Sequence, residues 1–180
     1  YTKYEVKRGL RDADGKGVLT GLTEISEVTS VTHKDGKRIS IPGELYYRGY
    51  SIEDLVKGFI HDEHYGFEEI TYLLLTGELP NKEQFDKFNN LLSYYRTLPD
   101  SFVRDIIMKA PSRNIMNALA KEVLTLYSYD EKAEDTSVPN VLRQCLQLIA
   151  LLPVLAVYSY QAFNYFHNKQ SLFIHSPQMG

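Results

Sequence analysis

The chain has 180 residues, 43% of them hydrophobic, 24% charged and 12% aromatic, a globular composition that excludes a disordered tail or a fibrous repeat. Twenty Lys and Arg against 23 Asp and Glu leave a net charge of -3, without the basic surplus that phosphate neutralisation needs, so nucleic acid is not an expected partner. One cysteine, Cys145, rules out an intrachain disulfide and points to a reducing compartment, with a cytoplasmic location expected.

Tyr1 to Glu5 carry no apolar run, so no signal peptide is expected. Tyr1 is not an initiator methionine, which fits a processed chain or a piece of a longer one. The first fifty residues hold most of the glycines and alternate apolar with polar positions. Val28 to Thr32 is β-branched, Asp35-Gly36 is a hairpin turn signal, and Arg38 to Ile41 resumes the alternation. Leu45-Tyr46-Tyr47 reads as a third short strand ended by Gly49. Residues 1–50 are therefore expected to form a segment with a small β-hairpin, and residues 51–180 a helical part.

From Ser51 the period becomes helical. Phe67, Ile70 and Leu74 make one stripe, closed by Gly77 and Pro80. Asn81 and Gln84 read as a capping box before Phe85, Phe88, Leu92 and Tyr95. Asp100 is expected to cap a short helix through Met108, and Ser112 the next, with Ile115, Leu119, Val123 and Leu126 inward. After the acidic loop Asp130–Ser137, a long helix is expected from Val138 to Phe166. Pro139 in its first turn costs little, whereas Pro153 should kink or break it. Its apolar run, Leu148 to Tyr158, is eleven residues; a bilayer needs about twenty, so a core helix and no membrane partner are expected. The fold class is mainly α.

Asp12 to Gly17 resembles the start of a calcium loop, but Lys16 and Thr23 stand where oxygen ligands are required, so the segment reads as a glycine turn. Sequence patterns for a P-loop, a hydrolase elbow or a dinucleotide fold are absent,. His61 and His64 could share a helix face, yet a third metal ligand at useful spacing is missing, and no metal is expected. His33, His167 and His175 are isolated, and Cys145 is expected to be packing in a core helix. Lys7-Arg8-Gly9-Leu10-Arg11 could offer forked donors to a phosphate, whereas Arg48 among Tyr46, Tyr47 and Tyr50 reads as structural. No acid–base pair or nucleophile can be assembled, and no catalytic residue is assigned.

Several runs resemble the amino-terminal part of bacterial citrate synthases. They are Arg8 to Asp12, Gly17 to Ser26, Gly43 to Ile52, Gly66 to Pro80, Arg104 to Pro111 and Asn140 to Cys145, in the family's order and spacing. The resemblance implies the first half of the large helical domain of that fold, from a homodimer that condenses acetyl-CoA with oxaloacetate. Coenzyme A would enter as the substrate carrier, with no further cofactor. The family's catalytic aspartate and histidines and its clamping arginines would follow the segment ending at Gly180, so the chain alone is expected to be inactive. By register, Arg11 matches an arginine that in some family members contacts coenzyme A phosphates; Lys132 would be a second such contact across a dimer and is not taken as a site. The rival readings are 2-methylcitrate synthase, which uses propionyl-CoA, and a free-standing helical interaction module.

Overall fold

Asp35 and Gly36 form the expected two-residue turn, with φ of 52° and 71°, in a computed structural model that describes residues 23–173. Two positive φ values in succession give the primed turn whose twist matches the strands it joins. Strand β1 is Ser26–Lys34 and β2 is Lys37–Tyr47, paired antiparallel with Lys34 opposite Lys37. The ladder shifts register between Thr29 and Val31, so that Glu44 and Ser40 are their partners. Pro42 and Gly43 occupy that bulge, where a missing N–H and a missing side chain cost the ladder least. Leu45, Tyr46 and Tyr47 are thus the end of β2 rather than a separate strand. The third strand, β3, is Tyr50–Ser51, joined through Arg48 and Gly49 at φ of 50° and 86°.

Helix α1, Ile52–His61, begins where Ser51 accepts a hydrogen bond from the Glu53 amide. Helix α2, Phe67–Thr76, ends on Gly77 at φ 95°, whose N–H donates to the Leu73 carbonyl. In α2 the buried residue is Leu73, whereas Phe67 is 57% exposed; the expected Phe67 stripe is rotated toward Leu73. Helix α3, Lys82–Tyr95, carries the expected capping box: the Asn81 amide donates to Gln84 at 2.8 Å and the Gln84 amide to Asn81 at 3.0 Å,.

The chain divides into two compact units, Tyr1–Asp86 and Lys87–Gly180. In the second, the expected short helix is a π-helical turn, Val103–Ile107, its end marked by the Met108 N–H donating to the Val103 carbonyl. Helix α4 is Ile115–Tyr127, capped by Asn114 and not by Ser112. Ser112 instead accepts from the Asn114 amide, so the asparagine sits where its oxygen reaches the Asn117 amide,.

Helix α5, Val138–Asn168, runs unbroken through Pro153. Proline removes the donor to the carbonyl four residues back, but Ala150, Leu151, Val154 and Leu155 on either side are buried and hold the helix. By length and composition α5 could cross a bilayer; here one side of it supplies Leu151, Leu155 and Ala162 to a core with Phe102 and Ile107. A smaller cluster joins its Leu146 and Ala150 to Leu92 of α3. The fold is mainly α with one small three-stranded sheet among the described residues.

Candidate functional site

Arg11, the run from Lys7 to Arg11, the Asp12–Gly17 turn and His175 lie outside the described residues. Within them, the strongest concentration of directed polar groups is the join between the acidic loop and α5. The side chains at Asn140, Arg143, Gln144 and Gln147 share one helix face by their spacing. Arg143 donates through Nη2 to both Asp130 oxygens at 2.8 Å. Its Nε reaches Asn140 at 2.9 Å and its Nη1 reaches Gln147 at 2.7 Å. Gln144 donates to Asp130 at 2.9 Å, and Asn140 donates to the carbonyls of Lys132 and Asp135. Gln144 and then Arg143 hold the Asp130 carboxyl below its ordinary value; the Ser137 amide and hydroxyl do the same for Asp135.

Two hollows flank this join. One, of about 610 Å³, is lined by Tyr94, Tyr95, Tyr127 and Tyr129 with Leu148 and Leu151. Its polar edge, Asp130, Gln144 and Gln147, is already committed to the Arg143 network. The other, of about 600 Å³, includes Lys132 and Arg143 beside Asp130, Glu131 and Asp135. Carboxylates outnumber cations there and Arg143 is paired, so the surroundings of Lys132 do not favour a phosphate.

His61 ends α1, while His64 lies 2.8 Å from the Glu69 carboxylate. The rings of Phe59 and Phe85 stand at 5.6 and 6.0 Å from the His64 ring in edge-on geometry. Aromatic packing and one carboxylate make His64 a structural residue, and no group of three or more metal ligands occurs among the described residues. Arg48 is structural as expected, but through a different contact: its guanidinium donates to the Leu74 carbonyl at 2.9 and 3.3 Å, near the negative end of α2. Cys145 is exposed rather than packed, because α5 turns Leu146 and Ala150 inward and leaves it on the opposite side. His167 lies 3.4 Å from the Pro111 carbonyl. The Arg143 network was missed in the sequence; four amide or guanidinium residues at helical spacing in an apolar helix were the available signal.

The architecture is that of the citrate synthase fold: the chain superposes on the enzyme from Pyrobaculum aerophilum with a TM-score of 0.67 at 24% identity, covering 97% of this chain and 42% of that one. A family model described as citrate synthase, C-terminal domain, matches residues 12–177. The chain belongs to the citrate synthase family. Among curated relatives, a citrate synthase of Corynebacterium glutamicum is 31% identical over 155 residues, 86% of this chain and 32% of the relative. A protein of the same organism named 2-methylcitrate synthase 2 is 29% identical over 154 residues, 86% of this chain and 35% of the relative. The chain thus spans about a third of the length of these relatives.

Proposed function

We propose that the chain is the amino-terminal part of a citrate synthase, the acyltransferase that condenses acetyl-CoA with oxaloacetate to give citrate and coenzyme A. The observation that carries the citrate synthase family in this reading is the match across residues 12–177; the amino-terminal placement rests on the resemblance of the runs from Arg8 to Cys145. In this reading Arg11 contacts a phosphate of coenzyme A, which is a substrate carrier and the only nucleotide required. The enzyme is a cytoplasmic homodimer, and its acid–base residues lie on the remainder of the enzyme.

The chemistry of the described residues supports that division of labour. Proton removal beside a thioester needs a base free to accept. Asp130 has its oxygens occupied by Arg143 and Gln144. His64 is held between two rings and Glu69. Each missing acid or base forgoes a factor of about 10² to 10⁴ in rate, so the 180-residue chain by itself is inactive in this reading.

The test is thiol release from acetyl-CoA with oxaloacetate, followed for the complete gene product and for the 180-residue chain. Turnover is expected from the first and background from the second. Activity of the chain above a heat-treated control would place catalytic residues within it. No turnover of the complete product with acetyl-CoA or propionyl-CoA would refute the family activity altogether. A larger kcat/KM with propionyl-CoA would replace the citrate reading with 2-methylcitrate synthesis, which the C. glutamicum relative of that name makes the specific rival.

A further inference from the structure

Helices α4 and α5 meet across a face whose apolar packing is interrupted by one polar contact. The Ser159 hydroxyl oxygen lies 2.6 Å from Oε1 of Glu122, and the two residues are 4% and 1% exposed. Leu119, Val123 and Leu126, on the same stretch of α4, pack against the core formed by Phe102, Ile107, Leu151, Leu155 and Ala162. The second carboxyl oxygen of Glu122, Oε2, is buried and has no hydrogen-bond partner.

An ionised carboxylate in that position would keep its charge in an apolar seam with one donor for two oxygens, and burying a charge without its full set of partners is costly. A neutral acid fits the same geometry. The proton sits on Oε1 and is donated to Ser159 Oγ, while Oε2 becomes a carbonyl oxygen, whose lack of a donor costs far less than an unpaired charge. The serine hydroxyl can in turn donate to a carbonyl of the preceding turn of its own helix.

The surrounding charges do not oppose this state strongly. Lys121, next in sequence, directs its ammonium to the carbonyls of Ile106 and Ala110 at 3.0 and 2.9 Å. Arg104, on the π-helical segment, and Lys109, just after it, are paired with Asp105. From α5, Tyr158 packs into the apolar core, and His167 stands by the Pro111 carbonyl. Burial pushes the Glu122 carboxyl up, more than the Ser159 hydrogen bond and the Lys121 charge bring it down.

We propose that Glu122 is a neutral carboxylic acid in the α4–α5 seam near neutral pH, which makes the seam a proton-dependent joint that loosens when alkali ionises the acid. The folded chain then holds this proton more tightly than the unfolded chain, whose glutamate titrates at about pH 4.3. Stability from this group is fully present below that value, falls as pH rises, and levels off above the folded pKa.

The experiment compares the whole 180-residue chain with Glu122→Gln, a neutral isostere. Unfolding constants are measured by urea titration from acid to alkaline pH, and the ratio of wild type to variant cancels His167 and every other shared group. The ratio should rise by up to about tenfold per pH unit, hence roughly a hundredfold over two units. Infrared spectra near neutral pH should show a protonated-carboxyl C=O band in the wild type that alkali removes. Ser159→Ala, which keeps the acid but removes its acceptor, should shift that band, and this arm holds even where Glu122→Gln fails to fold. A ratio that stays flat with pH, or a wild type without the acid band near neutral pH, overturns the proposal.

Discussion

Replacing Arg143 with Ala removes the residue that ties the acidic loop to the first turns of α5. Three partners are lost at once: the Asp130 carboxylate, Asn140 and Gln147. The Arg143 and Asp130 side chains are 29% and 20% exposed, so the charge-assisted bond is taken near the lower end of its range, about 1.5 kcal/mol. The two amide acceptors add about 1 kcal/mol each. Freeing the arginine recovers about 1.5 kcal/mol of rotamer entropy. The net loss is about 2 kcal/mol, and a Tm lower by about 4–8 °C for a chain of this size. A lysine in its place keeps a positive charge near Asp130 but not the planar fork, so Arg143→Lys should fall about midway. Acid supplies the second half of the experiment. The folded Asp130 carboxyl titrates below its ordinary value, so its contribution is present above the unfolded pKa and is lost as pH falls through the folded one. The gap between wild type and Arg143→Ala should therefore narrow below about pH 4. Urea unfolding at neutral and acidic pH measures it, and hydrogen exchange of the amides from 130 to 137 should accelerate in the variant. A variant within about 0.5 kcal/mol of wild type, the ordinary range for surface substitutions, would refute the reasoning. So would a gap that acid leaves unchanged.

A methyl group at Gly66 would overlap the Phe59 ring, so Gly66→Ala should cost about 1–3 kcal/mol by overpacking, and Phe59→Ala should relieve that cost in a double-mutant cycle read by urea unfolding. In the complete enzyme, Arg11→Ala should raise the acetyl-CoA KM by roughly ten- to a hundredfold, as expected for a charge-assisted contact of about 1.5–3 kcal/mol. The kcat and the oxaloacetate KM should hardly change, since a contact at the nucleotide end would be uniform binding energy; an unchanged acetyl-CoA KM with a lower Tm would make Arg11 structural.

Residues whose role depends on a partner far along the chain were the hardest to place from the sequence. Arg143 stood out only as part of a family block, because its main partner, Asp130, is thirteen residues away on the other side of a loop. Nothing in the sequence marked Glu122; its burial follows from the α4–α5 contact, through Ser159 thirty-seven residues downstream. Cys145 lies on a core helix just before its apolar run, and composition by itself does not say which side of a helix meets the core.

Features set by contacts between near neighbours were legible without the fold. The Asp35-Gly36 turn, the Asn81–Gln84 box, the Gly77 stop and Pro139 in the first turn of α5 each depend on backbone angles or hydrogen bonds within about four residues, and those forces act in any context. Tertiary packing decided the rest. It turned α2 onto Leu73 instead of Phe67, widened residues 103–107 into a π-helical turn, and carried α5 unbroken through Pro153. At Pro153 the buried neighbours Ala150, Leu151, Val154 and Leu155 outweighed a local preference worth about 3 kcal/mol; the α4 cap at Asn114, by contrast, was chosen by local bonds to Ser112 and Asn117 that the sequence also contained.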